Sequence, residues 1–263
     1  MIPRAYVTNW RSKAPWPEDS QVEQDLVLSR ALVDIFGSDA GKNLALRGGT
    51  ALNKLILSEP ARYSEDIDLV QLEPGPIGGI LSSIRKGLDG YLGSPRRTFS
   101  AINVTLKYKF DSETMPSVPL KLKIEINARE HTSFCDLVDY HYAVDNPWRS
   151  CRSTVRSYCI EELLATKTRA LYQRNKGRDL FDIWFTLSNH EVNTVTVMSI
   201  FKKYMSSEGS CPSFVDFADN IRNKLQHENF LRDTENLLRK GIAYDPGKAC
   251  EFVLSSYRKA GYS

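Results

Sequence analysis

Leu46-Arg47-Gly48-Gly49-Thr50-Ala51-Leu52, followed at a short interval by Arg62-Tyr63-Ser64-Glu65-Asp66-Ile67-Asp68-Leu69, is the stretch from which the rest of this 263-residue chain is read. A helix opening at Thr50 offers unpaired backbone N–H groups to an anion, and Gly48 and Gly49 allow the main chain to approach a phosphate closely. Asp66 and Asp68 alternate with Ile67 and Leu69. That alternation predicts a strand with both carboxylates on one face and both apolar side chains on the other. Two hard oxygen ligands so placed suit Mg²⁺ or Mn²⁺, with the remaining coordination positions left to water and substrate phosphates.

Working outward, Val22, Leu26, Val33 and Phe36 recur at helical spacing after the start signal Glu18-Asp19-Ser20, which predicts a helix over 21–36. A short strand over 43–47 leads into the glycine turn, a helix follows over 50–58, and the carboxylate strand occupies 65–71. Residues 73–79, rich in glycine and proline, break regular structure before a helix over 80–92. Ile102 to Phe110 and Leu120 to Ile126 each alternate apolar with polar residues, and the polar turn 111–119 joins them into a β-hairpin. From Cys159 the periodicity becomes helical. The expected boundary lies near 145–158, where Asp145-Asn146-Pro147-Trp148 interrupts the pattern, so the domains are read as 1–150 and 151–263. The expected fold is α+β: a mixed β-sheet with helices, followed by a mostly α-helical C-terminal half.

Gly48-Gly49-Thr50-Ala51-Leu52 with Arg62-x-Ser64-x-Asp66-x-Asp68 resembles the first motif of the AbiEii-type nucleotidyltransferases. These are the toxin half of AbiE and MenAT-type toxin–antitoxin systems, within the DNA polymerase β-like nucleotidyltransferase superfamily. The glycine pair and the Asp-x-Asp are each common alone; together, in this order, with a helical segment between them, they are specific. The resemblance covers about residues 20 to 190. It implies an N-terminal nucleotidyltransferase-type sheet and a metal-dependent transfer of NMP from an NTP, with pyrophosphate released. It further implies the 3′ end of tRNA as acceptor, a pyrimidine NTP as donor, an abortive-infection role, and a partner antitoxin that reverses growth arrest. Two other readings remain: transfer to a protein or small-molecule acceptor, and a non-catalytic regulatory module.

Further residues join the site through the same resemblance. Glu162 to Leu171 resembles the family's second region, in which a helix-borne lysine contacts the triphosphate; here that lysine is Lys167, set within the stripe of Leu163, Leu164, Ala170 and Leu171. The alternative is a lysine that buries its stem and extends its ammonium to water. Arg178-Asp179-Leu180-Phe181-Asp182 resembles the third region, whose aspartate fits Asp182 better than Asp179, which could instead start a helix. Asp182 is read either as the partner of Lys167 or as base for an incoming hydroxyl. Glu125 is a candidate third carboxylate for the metal, or a solvated edge charge. Arg62 is assigned either to a phosphate or to Glu65, and Ser64 either to the metal face, where a phosphoryl group would block the site, or to a local hydrogen bond.

Composition sets the bounds. The 41% hydrophobic content suffices for a sizeable core, and no apolar run approaches the ~18 residues of a membrane span. The start, Met1-Ile2-Pro3-Arg4-Ala5-Tyr6, lacks a signal-peptide hydrophobic region, so no membrane association and a cytoplasmic location are expected. Five scattered cysteines without Cys-x-x-Cys spacing are read as reduced thiols, and four unclustered histidines receive no metal role. A net charge of +3 does not diagnose a nucleic-acid partner. Arg96, Arg97, Lys107, Lys109, Lys121, Lys123 and the run from Lys167 to Arg178 concentrate positive charge, read with equal weight as solvated faces or as a phosphate-tracking surface.

Overall fold

A computed structural model describes residues 2–57, 59–114 and 116–262. Ser58, the last residue of the helix expected over 50–58, and Met115, within the expected turn 111–119, lie outside the described residues. The chain divides into two compact units, Met1–Tyr158 and Cys159–Ser263.

The first unit runs α1 (Arg4–Trp10), α2 (Asp19–Phe36), a 3₁₀ turn (Asp39–Asn43), β1 (Leu44–Arg47) and α3 (Gly48–Ala51), which continues into a π-helical turn (Leu52–Ile56). Then come β2 (Asp66–Gln71), α4 (Gly78–Leu92), β3 (Arg96–Phe99), β4 (Asn103–Asp111), β5 (Pro119–Asn127), β6 (Val138–Asn146) and β7 (Arg149–Ser157). The strands form one mixed sheet in the order β3-β4-β5-β2-β1-β7-β6. β2 pairs with β5 in parallel and with β1 in antiparallel fashion.

Alternation decides what each face of the sheet does. Ile67, Leu69, Leu106, Tyr108, Leu122, Ile124 and Ile126 are all buried, on the face packed by α2 and α4. Each such aliphatic side chain contributes about 1.5–3 kcal/mol relative to exposure. The intervening residues, Asp66 and Asp68 among them, emerge half-buried on the opposite face. α2 begins at Asp19, where a reciprocal capping box between Glu18 and Gln21 closes its first turn. It also carries a buried polar knot: Asp25 accepts from the indoles of Trp10 (2.8 Å) and Trp16 (3.0 Å) and from Lys54 (2.6 Å).

Of the interruption Asp145-Asn146-Pro147-Trp148, the first two residues end β6 and Pro147-Trp148 form a hairpin turn. Asn146 pairs with Arg149 across it, and the Asn146 side chain accepts from the Trp148 N–H while donating to the Tyr6 carbonyl. The two units divide after Tyr158, at the end of the expected span 145–158, and Arg149–Ser157 is a strand of the first unit's sheet.

The second unit is helical: α5 (Ile160–Gln173), α6 (Gly177–Asn189), α7 (Thr194–Ser207), α8 (Phe214–Lys224), α9 (Glu228–Leu231) and α10 (Pro246–Lys259). Phe217, Phe201, Tyr257 and Tyr262 form an aromatic core with ring centroids 5.6–6.3 Å apart. Asp245 caps α10 by accepting from the Lys248 N–H, with Pro246 at the first turn. Lys224 closes the other end of α5, donating to the carbonyls of Leu171 and Tyr172. Among the described residues no helix is long and apolar enough to cross a membrane.

Candidate active site

The glycine pair and the carboxylate strand meet by backbone geometry. β1 pairs Arg47 with Asp68, so the chain leaving Arg47 passes directly over the second carboxylate. Gly48 there adopts φ +77°, and a Cβ on it would lie 2.4 Å from Asp68 Oδ2. Both the left-handed backbone and the approach of the carboxylate demand glycine. At Gly49 a Cβ would lie 2.2 Å from the Nη2 of Arg62. Arg62 is buried, and its Nη1 donates to the Tyr63 carbonyl at 2.9 Å, so the guanidinium packs against the glycine turn; Glu65 lies 3.9 Å from Lys121.

Two side chains that the sequence reading left unassigned or only half-assigned fasten this turn to the strand. Asn53, on the π-helical turn, donates to the Gly49 carbonyl at 2.9 Å and accepts from the N–H groups of Ala61 (3.1 Å) and Arg62 (3.3 Å). Thr50 donates its hydroxyl to the Asp66 carbonyl at 2.5 Å and lies 2.8 Å from the Ser64 hydroxyl. Ser64 thus makes the local hydrogen bond weighed for it. A π-turn is frequent at functional sites, and only the run Asn53-Lys54 in an otherwise apolar segment hinted at polar work here.

The carboxylates are electrostatically unbalanced. Burial pushes the Asp66 pKa up to about 6, and Asp68 and Glu65 add to the rise, while Lys123 opposes it. Glu125 stands opposite Asp68 in register, but its carboxylate is engaged by Lys123 at 2.6 Å and by the Asn103 amide at 2.8 Å. Among the described residues the oxygens of Asp66, Asp68 and Glu125 do not draw within 4.8 Å of one another as a set. Burial lowers the Lys123 pKa, yet its hydrogen bond to Glu125 and the nearby Asp66 and Asp68 raise it overall. Two neighbouring carboxylates on one face, one of them with its pKa raised to about 6, beside a glycine that leaves room for the other, fit a divalent cation with open positions.

A second polar cluster forms within the helical unit. Lys167 is buried with its Nζ 3.1 Å from Asp179 and 2.8 Å from Asp182. The ammonium therefore ends on two carboxylates rather than in water. Asp179, fully buried, also takes a two-pronged contact from Arg174 at 2.7 and 2.9 Å. Burial alone raises its pKa, but Lys167 and Arg174 outweigh that and hold the carboxyl well below its ordinary range. Asp179 does not cap its helix. That end of α6 is held by Asp233, which accepts from the Arg178 N–H at 3.1 Å, and by Gly177, where a Cβ would lie 2.0 Å from the Phe230 carbonyl oxygen.

The profile of the nucleotidyl transferase AbiEii toxin family, of type IV toxin–antitoxin systems, matches residues 30–250. The chain belongs to the AbiEii family. It is accordingly a nucleotidyltransferase toxin by family, for which an NTP substrate and a cognate antitoxin follow. Among solved structures it is similar to the MenT4 nucleotidyltransferase toxin of Mycobacterium tuberculosis H37Rv, at 15% identity and TM-score 0.69, covering 99% of this chain and 90% of that one. It is also similar to the JHP933 protein of Helicobacter pylori, at 17% identity and TM-score 0.58, covering 92% of each chain. At these identities the likeness is one of fold. No curated protein matches it.

Within the AbiEii chain the structure brings together Gly48, Gly49, Thr50, Arg62, Ser64, Asp66 and Asp68 in the first unit, and Lys167 with Asp182 in the second. The five cysteines are free thiols. His131 donates from Nδ1 to the Gln71 carbonyl at 2.7 Å.

Proposed function

We propose that this AbiEii protein transfers NMP from an NTP, a pyrimidine NTP by preference, to the 3′ hydroxyl of tRNA in the cytoplasm, and so halts translation until its antitoxin acts. The observation that carries this reading is the seating of the Asp68 carboxylate where a Cβ of Gly48 would stand. It joins an anion-accepting turn to a cation-accepting pair in one place.

Asp66 and Asp68 would hold Mg²⁺ or Mn²⁺, with Glu125 as a further ligand once Lys123 releases it. Such an ion supplies charge neutralisation at the transferring phosphoryl group and orients the triphosphate. The turn Gly48-Gly49-Thr50 presents backbone N–H groups to the phosphates, and Arg62 stiffens it from behind. On the family pattern Lys167 would supply a compact positive charge to the leaving pyrophosphate, with Asp182 either holding that lysine or acting as base for the attacking hydroxyl. The 3′ oxygen forms a bond to the α-phosphorus as the bond to the β-phosphoryl oxygen breaks. Catalysis is then positioning and electrostatic stabilisation.

Ser64 is a control point in this reading. A phosphoryl group on it, one strand repeat from Asp66, competes for the cation and obstructs the triphosphate. Incubating the protein with total tRNA, Mg²⁺ and each radiolabelled NTP tests the reaction: labelled tRNA is expected, and none after periodate oxidation of the 3′ ribose. Label on protein, or on oxidised tRNA, overturns the acceptor assignment.

A further inference from the structure

The strand register lays the basic residues out in rows on the same face as Asp66 and Asp68. Arg96 of β3 stands opposite Lys107 of β4, Lys107 opposite Lys123 of β5, and Lys123 opposite Asp66 of β2. In a second row Lys109 stands opposite Lys121. Residues facing one another across a ladder project from the same side of the sheet, and like charges so placed repel. Three cations in one row and two in the next are therefore an arrangement the fold itself disfavours.

The counter-charges are few. Glu125 engages Lys123 at 2.6 Å, Glu65 approaches Lys121 at 3.9 Å, and Asp111 lies at the far end of β4 opposite Pro119. The side chains of Arg96, Lys107 and Lys109 make no hydrogen bond or ion pair among the described residues. Lys109 and Arg96 are exposed and Lys107 is half-buried. The row from Asp66 to Arg96 crosses three strand spacings, roughly 14 Å, with about 7 Å between same-face neighbours along a strand. A grid of cations, its outer members Arg96, Lys107 and Lys109 without side-chain partners, that ends at the reacting carboxylates matches a chain of phosphates rather than a single anion.

We propose that Arg96, Lys107, Lys109 and Lys121 form the track on which the phosphate backbone of the acceptor RNA lies as its 3′ end reaches Asp66 and Asp68. This rests on the reading of an RNA acceptor and adds to it the path and direction of the strand, from the β3 edge inward. The mutual repulsion of the row is relieved when the RNA binds and returns when it leaves.

The test is the triple variant Arg96→Gln/Lys107→Gln/Lys109→Gln, with 5′-labelled tRNA binding measured by fluorescence anisotropy across a salt series. Loss of three single-strand phosphate contacts should weaken binding on the order of fiftyfold near ~0.15 M salt and reduce the slope of log K against log salt by about 2. Dialysis binding of the NTP should be unchanged, and the melting temperature equal or higher, because the facing cations are gone. Unchanged RNA affinity and salt slope in the folded variant overturn the track. If the wild type labels tRNA while the variant keeps the same KM for it, the track fails and the RNA-acceptor reading stands. If the wild type binds RNA through these residues but labels another acceptor, the track stands and the acceptor reading fails. A wild type that binds no RNA, or binds polyglutamate equally well, overturns both.

Discussion

The molecule carries two aspartate pairs in opposite electrostatic conditions. Asp66 and Asp68 are half-exposed on a sheet face, and partial burial, with the repulsion of Asp68 added, lifts the Asp66 pKa to about 6. Asp179 and Asp182 are buried in a helical unit, clasped by Lys167, with Arg174 adding two further contacts to Asp179. Lys123 offsets only part of the first pair's charge, whereas the second pair is neutralised from within. Disturbing the first pair should therefore cost function without stability, and disturbing the second should cost both.

The largest contrast is in activity. Asp66→Ala or Asp68→Ala should lower nucleotide transfer by about a thousandfold or more, since both orientation and charge neutralisation are lost, each commonly worth several kcal/mol. Circular dichroism should show an intact fold. Near-normal transfer in either folded variant breaks the comparison at its first term.

Lys167→Ala should act on both properties. It leaves two buried carboxylates without the ammonium they share, a change that typically costs about 3–5 kcal/mol, read from urea unfolding. Transfer should fall at least about a hundredfold, as should that of Asp182→Ala. Lys167→Arg separates the two effects if it recovers stability without transfer, because a planar guanidinium does not replace a compact ammonium at a phosphate. Transfer unchanged in a folded Lys167→Ala protein would confine the cluster to packing.

At Ser64, Glu should suppress transfer by placing a negative charge beside the carboxylate strand, whereas Ala should lose only the bond to Thr50, about 1 kcal/mol, and retain appreciable activity. Equal activity of the two variants, measured with labelled tRNA, removes the control point.

The smallest expected effect concerns stability against pH. Because the folded-state pKa of Asp66 is raised, its contribution is most favourable below about 3.8 and is lost as pH rises through about 6. Asp66→Asn should therefore be inactive yet melt higher than the wild type at pH 7, by roughly 1–2 kcal/mol after allowance for solvent screening. The difference should vanish near pH 4. An Asn variant less stable than wild type at pH 7 would show that Asp66 is held by its neighbours rather than strained by them.

What the sequence disclosed follows the same physics. β2, β4 and β5 were legible because Ile67, Leu69, Leu106, Leu122, Ile124 and Ile126 alternate with polar residues on a sheet buried on one side. The β6–β7 hairpin was not, since its second strand, Arg149 to Ser157, has Val155 as its one buried apolar residue among serines, a cysteine, a threonine and arginines, and the Pro147-Trp148 turn imitated a linker. β3 was invisible because all four of its residues are exposed. The carboxylate strand and the glycine pair were readable as types; that Gly48 makes room for Asp68, and Gly49 for Arg62, is a matter of three-dimensional approach. Asn53 escaped notice because a side chain that bonds only backbone leaves no partner residue to pair with it in the sequence.

The central claim, that Asp66 and Asp68 together complete a cation site beside the glycine turn, is tested most directly by titrating Mn²⁺ into the wild-type protein and into Asp68→Asn at pH 7.5 with CTP present, following bound metal by electron paramagnetic resonance. The account predicts a saturable site in the wild type that weakens at least about tenfold in the variant, the usual scale for losing a charged ligand or its support. Equal Mn²⁺ binding by the two proteins would contradict it.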